Sequence, residues 1–167
     1  IPLWQNLKAR FEVAPHRCVA GGSERFHSVK CGIEALSDDV ETIAIHDGVR
    51  PMVSKRLIIR TLLEAEASGA TIPVIKVADS YRSIEGSSSR IIPRETLRIV
   101  QTPQIFRSDI LRKAYQQPYN PSFTDDASVV EAAEGIVTLC EGERTNIKIT
   151  TPEDLAYAEW LLQRDSE

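Results

Sequence analysis

The stretch TIAIHDGVRP, residues 42–51, opens as an apolar strand and ends on a histidine, an aspartate, a glycine, an arginine and a proline. Ile43 and Ile45 have the two-residue spacing of one strand face and are expected to anchor a central strand. Charge gathered just past such a strand suits an open α/β sheet, in which loops and helix N-termini converge beyond the strands' carboxyl ends and hold ligands.

The segments on either side repeat this arrangement. Leu3 to Phe11 reads as the end of a helix closed by Pro15, and Arg17 to Ala20 as a short strand running into Gly21 and Gly22. Ser23 is the expected N-cap of a helix over about 24–36, with Phe26, Val29, Ile33 and Leu36 near helical spacing. Ser54 is placed to cap an amphipathic helix that turns Leu57, Ile58, Thr61, Leu62 and Ala65 inward and stops at Gly69. ATIPVIKV follows as a strand, and Pro73 implies a bend or bulge within it.

Further on, LRIVQTPQIF reads as a strand stopping at Pro103, and Asp109 to Tyr115 as a short helix. Thr124 is the expected cap of another helix, with Asp125 and Asp126 in its first turn, Val129, Val130 and Ala133 inward, and Gly135 as its stop. Short strands are expected over Ile136 to Cys140 and Ile147 to Ile149, then a last helix with Thr151 as cap and Pro152 at its first position. This alternation predicts an α/β fold: a Rossmann-like, mainly parallel sheet with helices on both faces. Residues 79–96, DSYRSIEGSSSRIIPRET, break the pattern and predict a protruding β-hairpin arm with its tip at Gly86, carried by a single domain over 1–167. Such an arm has little core of its own and is expected to pack on something else, a second subunit being one choice.

Composition bounds the function. The 167 residues are 42% hydrophobic and 26% charged, with a formal charge of -4, which disfavours broad binding to nucleic acid or anionic membrane. No run approaches the ~20 apolar residues of a membrane span. The three cysteines, Cys18, Cys31 and Cys140, are too scattered for a disulfide framework or zinc motif, so a cytoplasmic setting is expected.

Four polar segments fall at the expected carboxyl rim: GGSERFHS, HDGVRP, QTPQ and GERTNIK. The first offers backbone N–H groups at a helix start, with Ser23 and Ser28 able to bond a base or sugar; its bland alternative is a capped turn. Asp47 stands where a carboxylate can hold a magnesium ion bridging phosphates, or can serve the turn before Gly48. Arg50 has the planar fork to clamp a phosphate, or is paired to a local acid. His46 is read as packed and hydrogen-bonded, and Lys148 as held for an anionic ligand or snorkelling to the surface. Neither GxGxxG nor GxxxxGK[ST] occurs, so the residues alone lead only to a phosphate-bearing ligand on a Rossmann-like rim.

The order GGSERFHSVKCGI, HDGVRP, ADSYR, RIVQTPQIF, FTDDASVVE and EGERTNIKITTPEDLAYAE resembles the 2-C-methyl-D-erythritol 4-phosphate cytidylyltransferases of non-mevalonate isoprenoid biosynthesis over nearly the whole chain. That family opens with a strand and a Pro-Ala-Ala-Gly-x-Gly loop, so the resemblance implies an N-terminally incomplete nucleotidyltransferase domain. It also implies that Gly22, Ser23 and Ser28 recognise the cytidine of CTP, Asp47 places Mg2+, and Gly48 lies near the ribose and α-phosphate. By the same resemblance Arg50, Thr124 and Lys148 hold the sugar-alcohol phosphate, and Lys148 offsets charge at the α-phosphorus. Ser80, Arg94 and Thr102 would reach the substrate of a neighbouring subunit, the arm being exchanged across a homodimer. Thr145 stands where some relatives carry an acid, which makes Asn146 the adjacent candidate to assist the metal. Two other readings are a ribitol-5-phosphate cytidylyltransferase and a non-catalytic dimerising domain.

Overall fold

The computed structural model describes residues 2–164. In chain order the elements are α1 (Pro2–Lys8), α2 (Arg25–Glu34), β1 (Thr42–Ile45), α3 (Lys55–Ser68), β2 (Ala70–Lys76), β3 (Tyr81–Glu85) and β4 (Ser88–Ile92). A 3-10 turn at Arg94–Thr96 leads to β5 (Arg98–Val100), β6 (Gln104–Arg107), α4 (Ser108–Ala114), α5 (Asp126–Ala132), β7 (Thr138–Glu141) and α6 (Pro152–Arg164).

The main sheet has five strands, in the order β1-β6-β2-β5, with β7 on the other edge of β2. The α/β class is as expected, but the ladders correct the expectation of a mainly parallel sheet. Only β2 and β7 pair in parallel; β1 with β6, and β2 with β5 and β6, pair antiparallel. Thus β1, β2 and β7 share one direction, while the segment after the arm returns between them in the other. Periodicity reports which residues are buried in a strand, not which way its neighbour runs.

The expected strand over LRIVQTPQIF is also divided. Val100 pairs with Val74 and Ile105 with Thr71, so Gln101, Thr102, Pro103 and Gln104 bulge opposite only Ile72 and Pro73. The anticipated bulge near Pro73 therefore lies in the facing chain, and β2 itself runs unbroken. Gln101 donates its backbone N–H to the carbonyl of Pro73 at 2.8 Å, which closes the bulge at its start.

Strand alternation separates two buried faces. Ile43, Ala70, Ile72, Val74 and Phe106 join one core with Phe26 and Ile33 of α2, Leu111 and Ala114 of α4, and Val129 and Val130 of α5. Thr71 and Ile105 point the other way, where α3 buries Leu57, Thr61 and Ala65 and the Thr61 hydroxyl lies 3.5 Å from Cys140 Sγ. Helices thus cover both faces. α3 has the expected punctuation: Ser54 Oγ accepts from Leu57 N, and Gly69 adopts φ 89 at the end.

Other boundaries move for identifiable reasons. Arg17 to Ala20 and Ile147 to Ile149 form no ladder: a strand needs a neighbour, β1 is bonded on one side only, and Ile149 contributes a single bond to the Val49 carbonyl. The N-cap of α2 is Glu24, without a side-chain bond, because Ser23 Oγ turns to His27 Nδ1 at 3.2 Å. For α5 the cap is Asp125 rather than Thr124, in a capping box with Ser128. Its left-handed stop is Glu134, not Gly135. The arm forms as β3 and β4, a separate two-stranded sheet turned at Gly86, with Ile84 and Ile91 exposed on one face.

Phe106→Ala is expected to lower stability by about 3–5 kcal/mol, because the ring is fully buried between β1, β2 and the helices. Ile45→Ala should lose less, since Ile45 is only half-buried. Urea denaturation of the two variants checks the ranking.

Candidate active site

The site is assembled around the bulge. Thr102 Oγ1 accepts from the backbone N–H of Asp47 at 3.0 Å and lies 2.9 Å from His46 Nδ1, so the strand carrying Thr102 fixes the loop after β1. His46 Nε2 lies 3.0 Å from the Arg50 carbonyl, so the residue is hydrogen-bonded as read from the sequence, but it is exposed rather than packed. The flanking glutamines reach further. Gln101 donates from Nε2 to the carbonyls of Glu143 at 2.7 Å and Asn146 at 3.1 Å, and its Oε1 accepts from Glu143 N at 3.0 Å. Gln104 donates to Asp125 Oδ2 at 2.8 Å and accepts from Ala127 N at 2.9 Å. Gln101 thereby serves a loop that has no ladder of its own, and Gln104 the first turn of α5.

These loops enclose a cleft of about 260 Å3 lined by Asp47, Arg50, Thr102, Thr124, Asp125 and Lys148, together with Arg25, Val100, Gln101 and Gln104. At its centre Asp47 Oδ2 accepts from Arg50 Nε at 3.2 Å and lies 3.5 Å from Lys148 Nζ. Burial pushes the Asp47 carboxyl up, but the hydrogen bond from Arg50 and the charges of Lys148, Arg50 and Arg25 outweigh it and hold the group below its ordinary value. Lys148 is half exposed on an irregular segment, anchored by its neighbours rather than by a strand.

The structure distributes the expected site residues unevenly. Asp47, Arg50, Thr102, Thr124 and Lys148 share the one cleft. Arg50 is buried, and its fork bonds to Asp47, to the Asn146 carbonyl at 2.9 Å and to the Val100 carbonyl at 3.4 Å. These bonds use three of the five guanidinium N–H groups and leave one on each terminal nitrogen. Thr102 lines its own chain's cleft, where the bulge turns its hydroxyl onto Asp47 and His46.

Ser80 and Arg94 sit instead at the base of the arm. Arg94 donates to the Ala78 carbonyl at 2.9 Å and lines a separate depression with Lys76 and Arg98. Gly22 and Ser23 lie in the loop before α2, and Ser28 in the helix's first turn. Ser28 Oγ accepts from Gly22 N at 3.1 Å, and a Cβ on Gly22 would come within 2.3 Å of the His27 side chain, so only glycine fits there. A Cβ on Gly48 would meet nothing within 4 Å, leaving the backbone beside Asp47 open. Gln101 and Gln104 carry roles that residue types alone did not reveal; their only trace was membership of QTPQ.

For a divalent metal the donor set is small. Among the described residues no cluster of three or more acids, histidines or cysteines exists. Magnesium in phosphate sites takes one or two protein carboxylates and completes its shell from phosphate and water. Asp47 fits that demand, because its two protein contacts fall on Oδ2 and its Oδ1 faces neither. Asn146 is half engaged: its Nδ2 donates to the Thr102 carbonyl at 2.8 Å, while its Oδ1 is buried with no hydrogen-bond partner.

The lowered Asp47 group gives a signed pH effect. A carboxyl with a depressed folded pKa binds fewer protons folded than unfolded, so its contribution is complete above the ordinary 3.8 and is lost as pH falls through the folded value. Asp47→Asn is therefore expected to give stability curves that separate from wild type at neutral pH and converge on acidification. Urea midpoints across pH test this; parallel curves would remove Asp47 from the linkage.

Comparison with known proteins agrees with this geometry. The profile of the family described as IspD, 2-C-methyl-D-erythritol 4-phosphate cytidylyltransferase, matches residues 4–164. The enzyme of that name from Bacteroides fragilis is 51% identical over 147 residues, covering 88% of this chain and 67% of the relative. Its counterpart from Phocaeicola vulgatus is 44% identical over 160 residues, covering 95% and 73%. Among solved structures, the cytidylyltransferase from Thermus thermophilus superposes with a TM-score of 0.76 at 38% identity, covering 91% of this chain and 78% of that one. The 4-diphosphocytidyl-2C-methyl-D-erythritol synthase from Anaerococcus prevotii does so at 0.83 and 29%, covering 97% and 76%. With the match extending over nearly every described residue, and with the cleft built from the motifs that carried the resemblance, the chain belongs to the 2-C-methyl-D-erythritol 4-phosphate cytidylyltransferase family.

Proposed function

We propose that this chain transfers the cytidylyl group of CTP to 2-C-methyl-D-erythritol 4-phosphate and releases pyrophosphate, a step of non-mevalonate isoprenoid biosynthesis. The observation that carries this reading is the placement of Asp47 and Lys148, 3.5 Å apart, beside Thr124 in one cleft of a chain of this family. The acceptor's phosphate oxygen attacks the α-phosphorus in line, and the bond to the leaving pyrophosphate breaks. No covalent enzyme intermediate is needed, so the protein's work is positioning and charge neutralisation.

The residue roles that go with this reading are those of the family's pattern. Gly22, Ser23 and Ser28, at the start of α2, take the cytidine, while the open backbone at Gly48 admits the ribose and α-phosphate. Thr124 donates its hydroxyl to the acceptor phosphate. Lys148 exchanges its contact with Asp47 for the oxygens on which charge gathers, and Arg50 supports it from below. Mg2+, held by Asp47 Oδ1, would supply charge neutralisation on the bound phosphates. Three free cysteines, and no helix among the described residues long and apolar enough to cross a membrane, favour action in the cytoplasm.

Incubation with CTP, Mg2+ and 2-C-methyl-D-erythritol 4-phosphate is expected to release pyrophosphate, and chelation of the metal to stop it. Asp47→Ala should reduce turnover on the order of a hundredfold or more with the fold retained. Turnover with ribitol 5-phosphate in its place would favour the other acceptor; no release with either would favour a non-catalytic dimerising role.

The same proposal makes the chain a homodimer through its arm. Ile84 and Ile91 lie on one face of a hairpin that pairs only with itself, at 71% and 66% exposure, and that face is suited to a second copy. Ser80 and Arg94, at the arm's base, would then stand beside the partner's acceptor. Sedimentation should give twice the chain mass for wild type and a shift to monomer for Ile84→Arg with Ile91→Arg; an unshifted dimer would place the interface elsewhere.

A further inference from the structure

Asp126 is a carboxylate with no exposure at all, and its bonds join α5 to the start of α2 and the end of α4. Its Oδ1 accepts from Arg25 Nη1 at 2.9 Å and from the Tyr115 hydroxyl at 2.6 Å, while Oδ2 accepts from Arg25 Nη2 at 2.6 Å. The guanidinium and carboxylate therefore meet fork to fork, the most directional of ion pairs. Burial and the Asp126 carboxylate push the Tyr115 hydroxyl up, so it stays a donor at any ordinary pH.

The position of these residues is more informative than the pair itself. Arg25 is the first residue of α2, directly after the loop of Gly22 and Ser23, and Asp126 is the first of α5, directly after Thr124 and its cap. The start of α5 does not need Asp126 for capping: Asp125 and Ser128 close a capping box, and Gln104 takes Ala127 N. An ion pair whose carboxylate is wholly buried is also a poor way to stabilise a core, since apolar side chains of similar volume commonly do as well or better. What it supplies is a fixed distance between two loops. Its other end is in the cleft, where the Arg25 side chain is 41% exposed and its charge acts on Asp47.

We propose that Arg25, Asp126 and Tyr115 form a latch that sets the separation of the nucleotide loop from the acceptor loop, with Arg25 a positioning residue for the transfer. The assignment rests on the cytidylyl-transfer reading, in which those loops carry the two reactants. In-line attack tolerates little error in the distance between them, so a loosened latch lowers turnover more than it lowers affinity for either substrate alone.

Arg25→Lys keeps the charge but cannot make parallel bonds, and Tyr115→Phe removes one bond while keeping the ring stacked on Phe26 at 4.8 Å. Amide hydrogen exchange over residues 21–24 and 122–125 is expected to quicken in both loops together in Arg25→Lys, and less in Tyr115→Phe. In parallel kcat should fall about tenfold in Arg25→Lys, with each KM within about threefold of wild type and the melting transition still cooperative. Exchange that rises in one loop only or in neither, or a kcat loss that merely tracks global unfolding, would overturn the latch. If Arg25→Lys does not fold, Tyr115→Phe decides alone on the same readouts. Absence of pyrophosphate release by wild type would count against the transfer reading, while the exchange measurement would still decide the latch.

Discussion

Gln101 and Gln104 bury their primary amides almost completely and use them outside the sheet, Gln101 on backbone groups of the 143–146 segment and Gln104 on the Asp125 carboxylate and the first turn of α5. A loop at a sheet's rim has N–H and C=O groups that no ladder satisfies, and each left unpaired in a buried place costs about 1–3 kcal/mol. One amide offers both a donor and an acceptor, so a glutamine on a strand can stand in for a missing strand. Gln101 does this for the segment leading to Lys148, and Gln104 for the start of α5 beside Thr124. Between them Thr102 does the same for Asp47 with a hydroxyl. The cleft is thus an extension of the sheet's hydrogen bonding, and its charged groups inherit the sheet's rigidity.

That construction explains the electrostatics. Arg50 can be buried because its N–H groups find Asp47 and two carbonyls, one of them on the very segment that Gln101 holds. Asp47, flanked by Arg50 and Lys148, stays ionised at neutral pH with one oxygen turned to its cationic neighbours. A site prepared in this way meets a negatively charged ligand with its cations already gathered, and Lys148, half exposed, is the one that turns from Asp47 toward it.

How much of this was legible in the sequence depended on the range of the interaction. Local chemistry read well: the spacing of Ile43 and Ile45, Ser54 as a cap and Gly69 as a stop, the hairpin turning at Gly86, and the gathering of HDGVRP, QTPQ and NIK at one rim. Interactions between distant residues did not. The antiparallel return of β6 between β1 and β2 leaves no mark in hydrophobic period, and the single missing neighbour of Arg17 to Ala20 turns a strand-like run into an extended coil. Caps shifted for the same reason: Ser23 and Thr124 were eligible by type, but the first found His27 and the second was displaced by the Asp125–Ser128 box. The contacts of Thr102 with Asp47 and His46 likewise depend on the bulge, which no local spacing announces.

The bulge also imposes an arithmetic on the chain. Side chains alternate across a sheet, so a strand keeps its faces only when residues are added or removed in even numbers. The segment from Val100 to Ile105 is longer than the stretch of β2 it faces, from Val74 to Thr71, by an even number, and so Phe106 still points into the helical core and Ile105 toward α3. Loss of a single residue between them would invert one half of the strand against the other. The hairpin tip at Gly86 has no such parity to protect, and drift in chain length belongs there.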